Sequence, residues 1–407
     1  MTPPAEGKTG RETDGDPLWR STLYVMFVAQ LIAIVGFSFV LPFIPFYIRE
    51  IGVTDVKMVP VWAGILSSAP SLTMTVFSPI WGWISDRHGR KLMVERAMFA
   101  GGFITMAMGM VSNVHQLLIL FLISGALTGT ISASISLVAS ILPFRKMGFG
   151  LGLMQVAVFS GMSLGPWIGG MIADMVGYRM TFIAGGILLL GGGTLVLLGA
   201  KEKFVRPSAA ALKRSGSLRS LFALPGFVSL MVIFLLFNFS IFIVIPIMPL
   251  FIEAVGNLKT QVASTTGLMF AVTGATASIS AAFIGRWSDN WGHKRVLIVN
   301  LFITGILWVA HALARNIEQL FIIRVLFGFA AGGNLPTMNA LVGKLVPKES
   351  YGKAYGLTAS VTSLGTALGP LAGGVLASHM GLYWPFAVVC LLLILVVIPI
   401  VVSLKIR

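Results

Sequence analysis

Charge is what this sequence has least of. Only 11% of its 407 residues are Asp, Glu, Lys or Arg, whereas a soluble chain of that length needs far more polar surface to cover its core. Acid is scarcer than base, 14 Asp and Glu against 29 Lys and Arg. Cysteine occurs once, as Cys390 in the last apolar run, so no intrachain disulfide can form and the thiol reads as buried in the membrane. There is no Gly-x-x-x-x-Gly-Lys-Ser/Thr loop, no group of side chains with metal-ligand spacing and no catalytic constellation in a polar domain. An enzyme, an ATP-driven pump and a resident cofactor or metal are therefore not expected. Nor is a cleaved leader, because the first apolar run is full length and has no small-residue cleavage site.

Apolar residues are what the chain has in excess. They make up 56%, with 46 Gly and 28 Phe, and glycine inside long apolar runs suits helices packing closely in lipid. Runs of ~20 residues, enough to cross ~30 Å of hydrocarbon, fall near 21–47, 59–83, 92–112, 116–140, 149–173, 180–200, 224–250, 262–285, 296–314, 319–342, 353–377 and 383–404. The expected class is an all-α integral membrane protein of twelve spans. The net charge of +15 invites a nucleic-acid partner, but its distribution rejects one. With the N-terminus inside, 23 Lys and Arg fall in the tails, the alternate loops and the helix ends beside them. Only Arg49, Lys57, Arg179, Lys259 and Arg315 fall in the opposite loops, and Arg324 lies within a span. This asymmetry predicts a multi-pass protein of the cell membrane with both termini cytoplasmic.

The polar turn between spans 2 and 3, Gly82-Trp83-Ile84-Ser85-Asp86-Arg87-His88-Gly89-Arg90-Lys91, reappears 203 residues on as Gly285-Arg286-Trp287-Ser288-Asp289-Asn290-Trp291-Gly292-His293-Lys294-Arg295. In span 5, Gly161, Gly165, Pro166, Gly169 and Gly170 are matched 204 residues later by Gly365, Gly369, Pro370, Gly373 and Gly374. The proline pairs that end span 1 (Pro42, Pro45) and span 7 (Pro246, Pro249) match too, and should bend both helices toward a cavity. Two equivalent halves follow. The expected organisation is a disordered cytoplasmic tail (1–20), a six-helix bundle (21–200), a basic cytoplasmic linker (201–223), a second six-helix bundle (224–404) and a short cytoplasmic tail (405–407).

These residues resemble the major facilitator superfamily, and within it the twelve-helix drug:proton antiporters of multidrug-efflux type. The Gly82–Lys91 turn is similar to the superfamily's signature between helices 2 and 3. The Gly161–Gly170 run is similar to the helix-5 antiporter motif, and the proline-rich end of span 1 to the drug-exporter pattern. The resemblance implies a cytoplasmic gate in which Asp86 meets the facing start of span 11 near Gly352, with Asp289 and the start of span 5 near Gly148 as its counterpart. Arg87, Arg90 and Lys91 would pair with nearby acids or anionic headgroups, while Gly82 and Gly89 allow close approach and a positive φ; a static topology anchor is the plainer alternative. One position departs from the pattern. Phe121 stands where the family places a helix-4 arginine, and the second half carries Arg324 at the matching place.

Ionisable residues within spans are functional candidates, and here they are few. Arg324, Glu95 and Asp174 are the candidate coupling or substrate charges; for Arg324, contact with an anionic substrate group or an acid stands against snorkelling to the outer interface. No buried carboxylate is evident in the spans, so neutral or zwitterionic amphiphiles are favoured over lipophilic cations. A permissive cavity wall could be built from Gln30, Phe37, Phe39, Phe43, Tyr47, Gln155, Asn238, Phe242 and Asn334; for each aromatic, helix packing or lipid contact is the competing role. The expected function is export of small amphiphilic drugs or metabolites in exchange for protons, by a monomer in the bilayer. A facilitator or importer of a sugar or organic acid, and a non-transporting receptor or scaffold, remain the alternatives.

Overall fold

The computed structural model describes residues 18–143, 146–202, 219–347 and 350–403. Most of the two expected tails and of the linker lies outside them. The described residues form helices and short connections, with no strand among them.

The first half contains α1 (Leu18–Ser38), a 3-10 turn (Leu41–Phe43) and α2 (Ile44–Glu50) as span 1. Then come α3 (Met58–His88), α4 (Arg90–Met108), α5 (Val114–Leu127) with α6 (Thr130–Ile141), α7 (Met147–Val176) and α8 (Tyr178–Gly199). After the short α9 (Arg219–Phe222), the second half repeats the order. It has α10 (Phe227–Val244) with α11 (Met248–Gly256), α12 (Val262–Trp291), α13 (His293–Leu313), α14 (Ile317–Ala331) with α15 (Asn334–Leu345), α16 (Tyr351–Met380) and α17 (Trp384–Ser403). Ten of the twelve spans pass as membrane-crossing on length and apolarity alone. Span 12 has a shorter apolar stretch, Trp384–Ile398, and α4 opens with Arg90, Lys91, Glu95 and Arg96. The chain is a multi-pass membrane protein of the twelve-helix kind that the sequence predicts.

Spans 1, 4, 7 and 10 are broken, whereas α3, α7, α12 and α16 run 30 or 31 residues without interruption, or ~45 Å at helical rise. In spans 1 and 7 the breaks sit at the prolines, whose rings displace a carbonyl four residues back and which offer no N–H. Four glycines hold the same unusual backbone: Gly89, Gly177, Gly292 and Gly381 have φ of 96°, 88°, 89° and 96° at the junctions α3/α4, α7/α8, α12/α13 and α16/α17. That region is strained for any residue with a Cβ, so each half is itself two similar three-span units. The N-caps repeat as well. Asn113 accepts from Gln116 N at 2.9 Å, and Asn316 accepts from Gln319 N at 2.8 Å.

The halves meet along α7 against α12 and α3 against α16, but only toward one face of the membrane. On the face opposite the chain ends, a single apolar cluster runs from Phe43, Tyr47 and Phe182 of the first half to Leu250 and Ala263 of the second. A Cβ on Gly267 would lie 2.7 Å from the Pro166 carbonyl carbon, and one on Gly374 would lie 3.1 Å from that of Pro60. These are approaches only glycine tolerates. Toward the face bearing the chain ends, the apolar clusters of the halves are separate. There Met74 to Ile80 of α3 are all exposed, which is two turns with no buried side. Gly82, Gly148, Gly152 and Gly356 have nothing within 4 Å of a Cβ. The molecule is closed on the distal face and open on the termini face.

Candidate transport cavity and its gates

The run Gly161, Gly165, Gly169 in α7 has a spacing of four, which puts all three on one helical face. That face lies on α1, with a Cβ on Gly165 2.6 Å from Ser38 Cβ and one on Gly169 2.5 Å from the Phe39 carbonyl oxygen. Gly170, one residue on, faces Ala263 of the opposite half instead. Gly365, Gly369 and Gly373 repeat the arrangement on α10. The run is thus a packing device shared by both halves, and the backbone approach at Pro166 belongs to the seam.

Beneath the seam lies a cavity of about 360 Å³. Phe159 and Met162 of α7 form its wall from the first half; the second half contributes, among others, Phe237, Asn238 and Ile241 of α10, Phe270, Thr273 and Ser278 of α12, Trp308 of α13, and Arg324 and Phe327 of α14. Arg324 is 3% exposed. Its guanidinium carbon stands 4.9 Å from the centre of the Phe270 ring, its Nε has no partner, and it joins none of the three ion pairs among the described residues. It does not snorkel. His311 packs behind the wall, with Nδ1 2.7 Å from the Leu307 carbonyl and its ring 6.1 Å from Phe386.

Two smaller cavities, of about 150 and 140 Å³, flank the break in span 4. A broken helix leaves carbonyls without their intrahelical donors. Here Trp81 Nε1 donates to the Ala126 carbonyl at 2.6 Å and Arg96 donates to that of Thr128 at 3.2 Å, with the guanidinium 3.4 Å above the Trp81 ring.

The other expected site residues divide. Asn238 lines the cavity beneath the seam, and Phe37 borders one of the smaller ones. Gln155 is exposed on α7. Phe39, Phe43 and Tyr47 do not line the cavity: they are at most 2% exposed in the distal core, where the Tyr47 hydroxyl donates to the Met108 carbonyl at 2.8 Å. The proline bend turns them inward against α8 rather than toward the other half. Phe242 packs on Gly369, and Gln30 and Asn334 are wholly buried between helices. Asp174 is no cavity charge either. Its carboxylate accepts from the backbone N–H groups of Ala263 (3.3 Å) and Ser264 (2.8 Å), so it caps α12 of the opposite half and meets the positive end of that helix. Close by, Arg49 and Glu253 pair across the halves at 2.8 Å; they too are 204 residues apart. Glu95 pairs with Lys91 one turn away, at 3.6 Å.

In the Gly82–Lys91 turn, Arg87 stacks on Trp83 at 3.7 Å. The backbone N–H groups of Arg90 and Lys91 donate to Glu202 at 2.8–3.0 Å. The acid of the expected linker is therefore docked as the cap of α4, and Lys201 N donates to Thr22 at 3.2 Å. The side chains of Asp86 and Asp289, and the surroundings of Gly352 where the partner of Asp86 was expected, lie outside what the structure describes.

The family model of the Major Facilitator Superfamily matches residues 26–263 and 257–407. The chain belongs to the major facilitator superfamily. It is 30% identical over 380 residues to the multidrug resistance protein MdtG of Escherichia fergusonii, covering 91% of each chain. It is 29% identical over 372 residues to a multi-drug resistance efflux pump PmrA homolog of Lactococcus lactis subsp. lactis, covering 89% of each. Among solved structures, a bacterial homolog of the human lysosomal transporter Spinster, inward-facing and occupied, shares the fold at a TM-score of 0.76 and 16% identity, over 95% of this chain and 96% of that one. As a superfamily member the chain is a transporter of small molecules rather than an enzyme, and its cavity, seam and broken spans are the parts of a carrier.

Proposed function

We propose that this facilitator exports small amphiphilic drugs or metabolites by alternating access, in exchange for protons, with its termini face in the cytoplasm. The observation that carries the reading is the pairing of a largely apolar cavity between the halves with a distal seam that is tight enough to seal and is made of separable contacts. Aromatic and aliphatic walls with sparse polar groups suit a permissive pocket. The bias of Lys and Arg toward the termini side orients that face inward, so the open cavity takes its load from the cytoplasm. The names of the curated relatives support efflux of drugs.

In this cycle the Gly82–Lys91 turn closes the cytoplasmic side before the seam parts. Asp86 supplies the carboxylate for a facing helix start and releases it when the cavity reopens inward. The test is a pH jump imposed across vesicles containing the purified protein. Accumulation of a lipophilic dye should follow the proton gradient, and Asp86→Asn should reduce it at least tenfold. Transport indifferent to the gradient would remove proton exchange from the account, and no transport by the unaltered chain would remove export itself.

A further inference from the structure

Arg324 is the feature of the cavity that packing does not explain. An isolated charge taken out of water loses several kcal/mol of solvation unless something replaces it, and buried arginines are normally paired. Here the guanidinium is 3% exposed, its Nε has no partner, and no ion pair among the described residues includes it. The face of Phe270 at 4.9 Å gives partial compensation, but an aromatic face cannot accept the in-plane N–H groups of the fork. The rest of the wall is mostly apolar (Phe159, Met162, Phe237, Phe327), with Asn238, Thr273 and Ser278 as its few neutral polar side chains and no acid among them. A fork with donors to spare at the edge of an apolar chamber is arranged for a planar or tetrahedral oxyanion carried on a hydrophobic body.

We propose that Arg324 is the counter-ion for an anionic amphiphile, with a carboxylate, sulfonate or phosphonate head at the guanidinium and an apolar body against Phe159, Met162 and Phe237. This deepens the export reading and rests on it. It also replaces the expectation of neutral or zwitterionic substrates, which came from the lack of a cavity carboxylate. The first half has no equivalent charge, because Phe121 stands at the matching place. It is 4% exposed within the distal core, and Arg96 of the first half lines the separate cavity at the break in span 4 instead, so Arg324 gives this pocket one anion site on one side.

A matched set of probes tests this: 1-naphthaleneacetate, its neutral amide 1-naphthaleneacetamide, and the cation 1-naphthylmethylammonium, which share an aromatic body and differ in charge. Binding to the full-length chain in nanodiscs, followed by tryptophan fluorescence with Trp308 in the wall, should favour the acid over the amide at least tenfold, or about 1.4 kcal/mol. Arg324→Gln should bring that ratio to about one, and Arg324→Lys should restore part of it. Equal binding of acid and amide by the unaltered chain overturns the proposal, and this comparison needs no variant to fold. A ratio unchanged in Arg324→Gln overturns it too. Uptake of the same probes into vesicles separates the two readings. Transport of amide and cation as readily as acid leaves export standing and removes the anion site, while transport of none removes the export reading on which it rests.

Discussion

A methyl group at Gly267 should push the transporter out of the conformation seen here. Its Cβ would stand 2.7 Å from the Pro166 carbonyl carbon and 2.9 Å from Trp167 Cα, where carbon atoms normally keep ~3.5–4.0 Å. Both neighbours belong to the uninterrupted α7, so a side-chain rotation cannot relieve the contact. The distal ends must part by about 1 Å. Overpacking of this kind costs about 1–3 kcal/mol. If the seam opens in the other state, the full penalty falls on the inward-open form and its population relative to the outward-open form drops roughly 5- to 150-fold. Distances between spin labels at Met175 and Met380, both exposed at distal helix ends, would report the shift in a Cys390→Ala background. Gly267→Ala should enlarge the long-distance population. Gly161→Ala serves as the contrast, because its Cβ would meet Ile34 and Val35 within one half at 2.7–3.2 Å; it should lower thermal stability without moving the distances. An unchanged distance distribution in Gly267→Ala would refute the assignment of the seam as a gate.

Two further predictions follow from the same geometry. Asp174→Ala removes the carboxylate that caps α12 from the opposite half, a loss of about 1 kcal/mol, so the outward-open population should rise roughly fivefold by the same distance measurement; no change would make the cap incidental. Gly89→Ala forces a Cβ into φ of 96° at about 1–2 kcal/mol and should lower the melting temperature in detergent, whereas Gly82→Ala, with open space around it, should leave it within error of the parent.

The spans, the duplication and the proline breaks were legible because each is written locally, in runs of apolar residues and in Gly or Pro at fixed offsets. Residues acting between distant elements were not. Asp174 lies at the end of one apolar run and looks like an intramembrane charge; only the placement of α12, some 90 residues on, makes it a cap. Glu202 falls in a linker that the sequence marks only as basic, yet it closes the start of α4, 112 residues earlier. Aromatic residues gave the weakest signal. Phe39 and Phe43 pack in the core while Phe159, Phe237 and Phe270 line the cavity, and nothing in their immediate sequence separates the two sets, because lipid, core and cavity all accept a phenyl ring. Arg324 was singled out by its type, but its depth and its missing partner emerged only from the packing of α12 and α14.

Alternating access requires the distal seam to open in every transport cycle. Cysteines in place of Arg49 and Glu253, whose side chains now meet across the halves, can be joined by a short cleavable thiol cross-linker in vesicles of the Cys390→Ala protein. The prediction is that cross-linking reduces substrate accumulation to the protein-free background and that cleavage restores it. Undiminished accumulation with the cross-link in place would contradict alternating access through this seam.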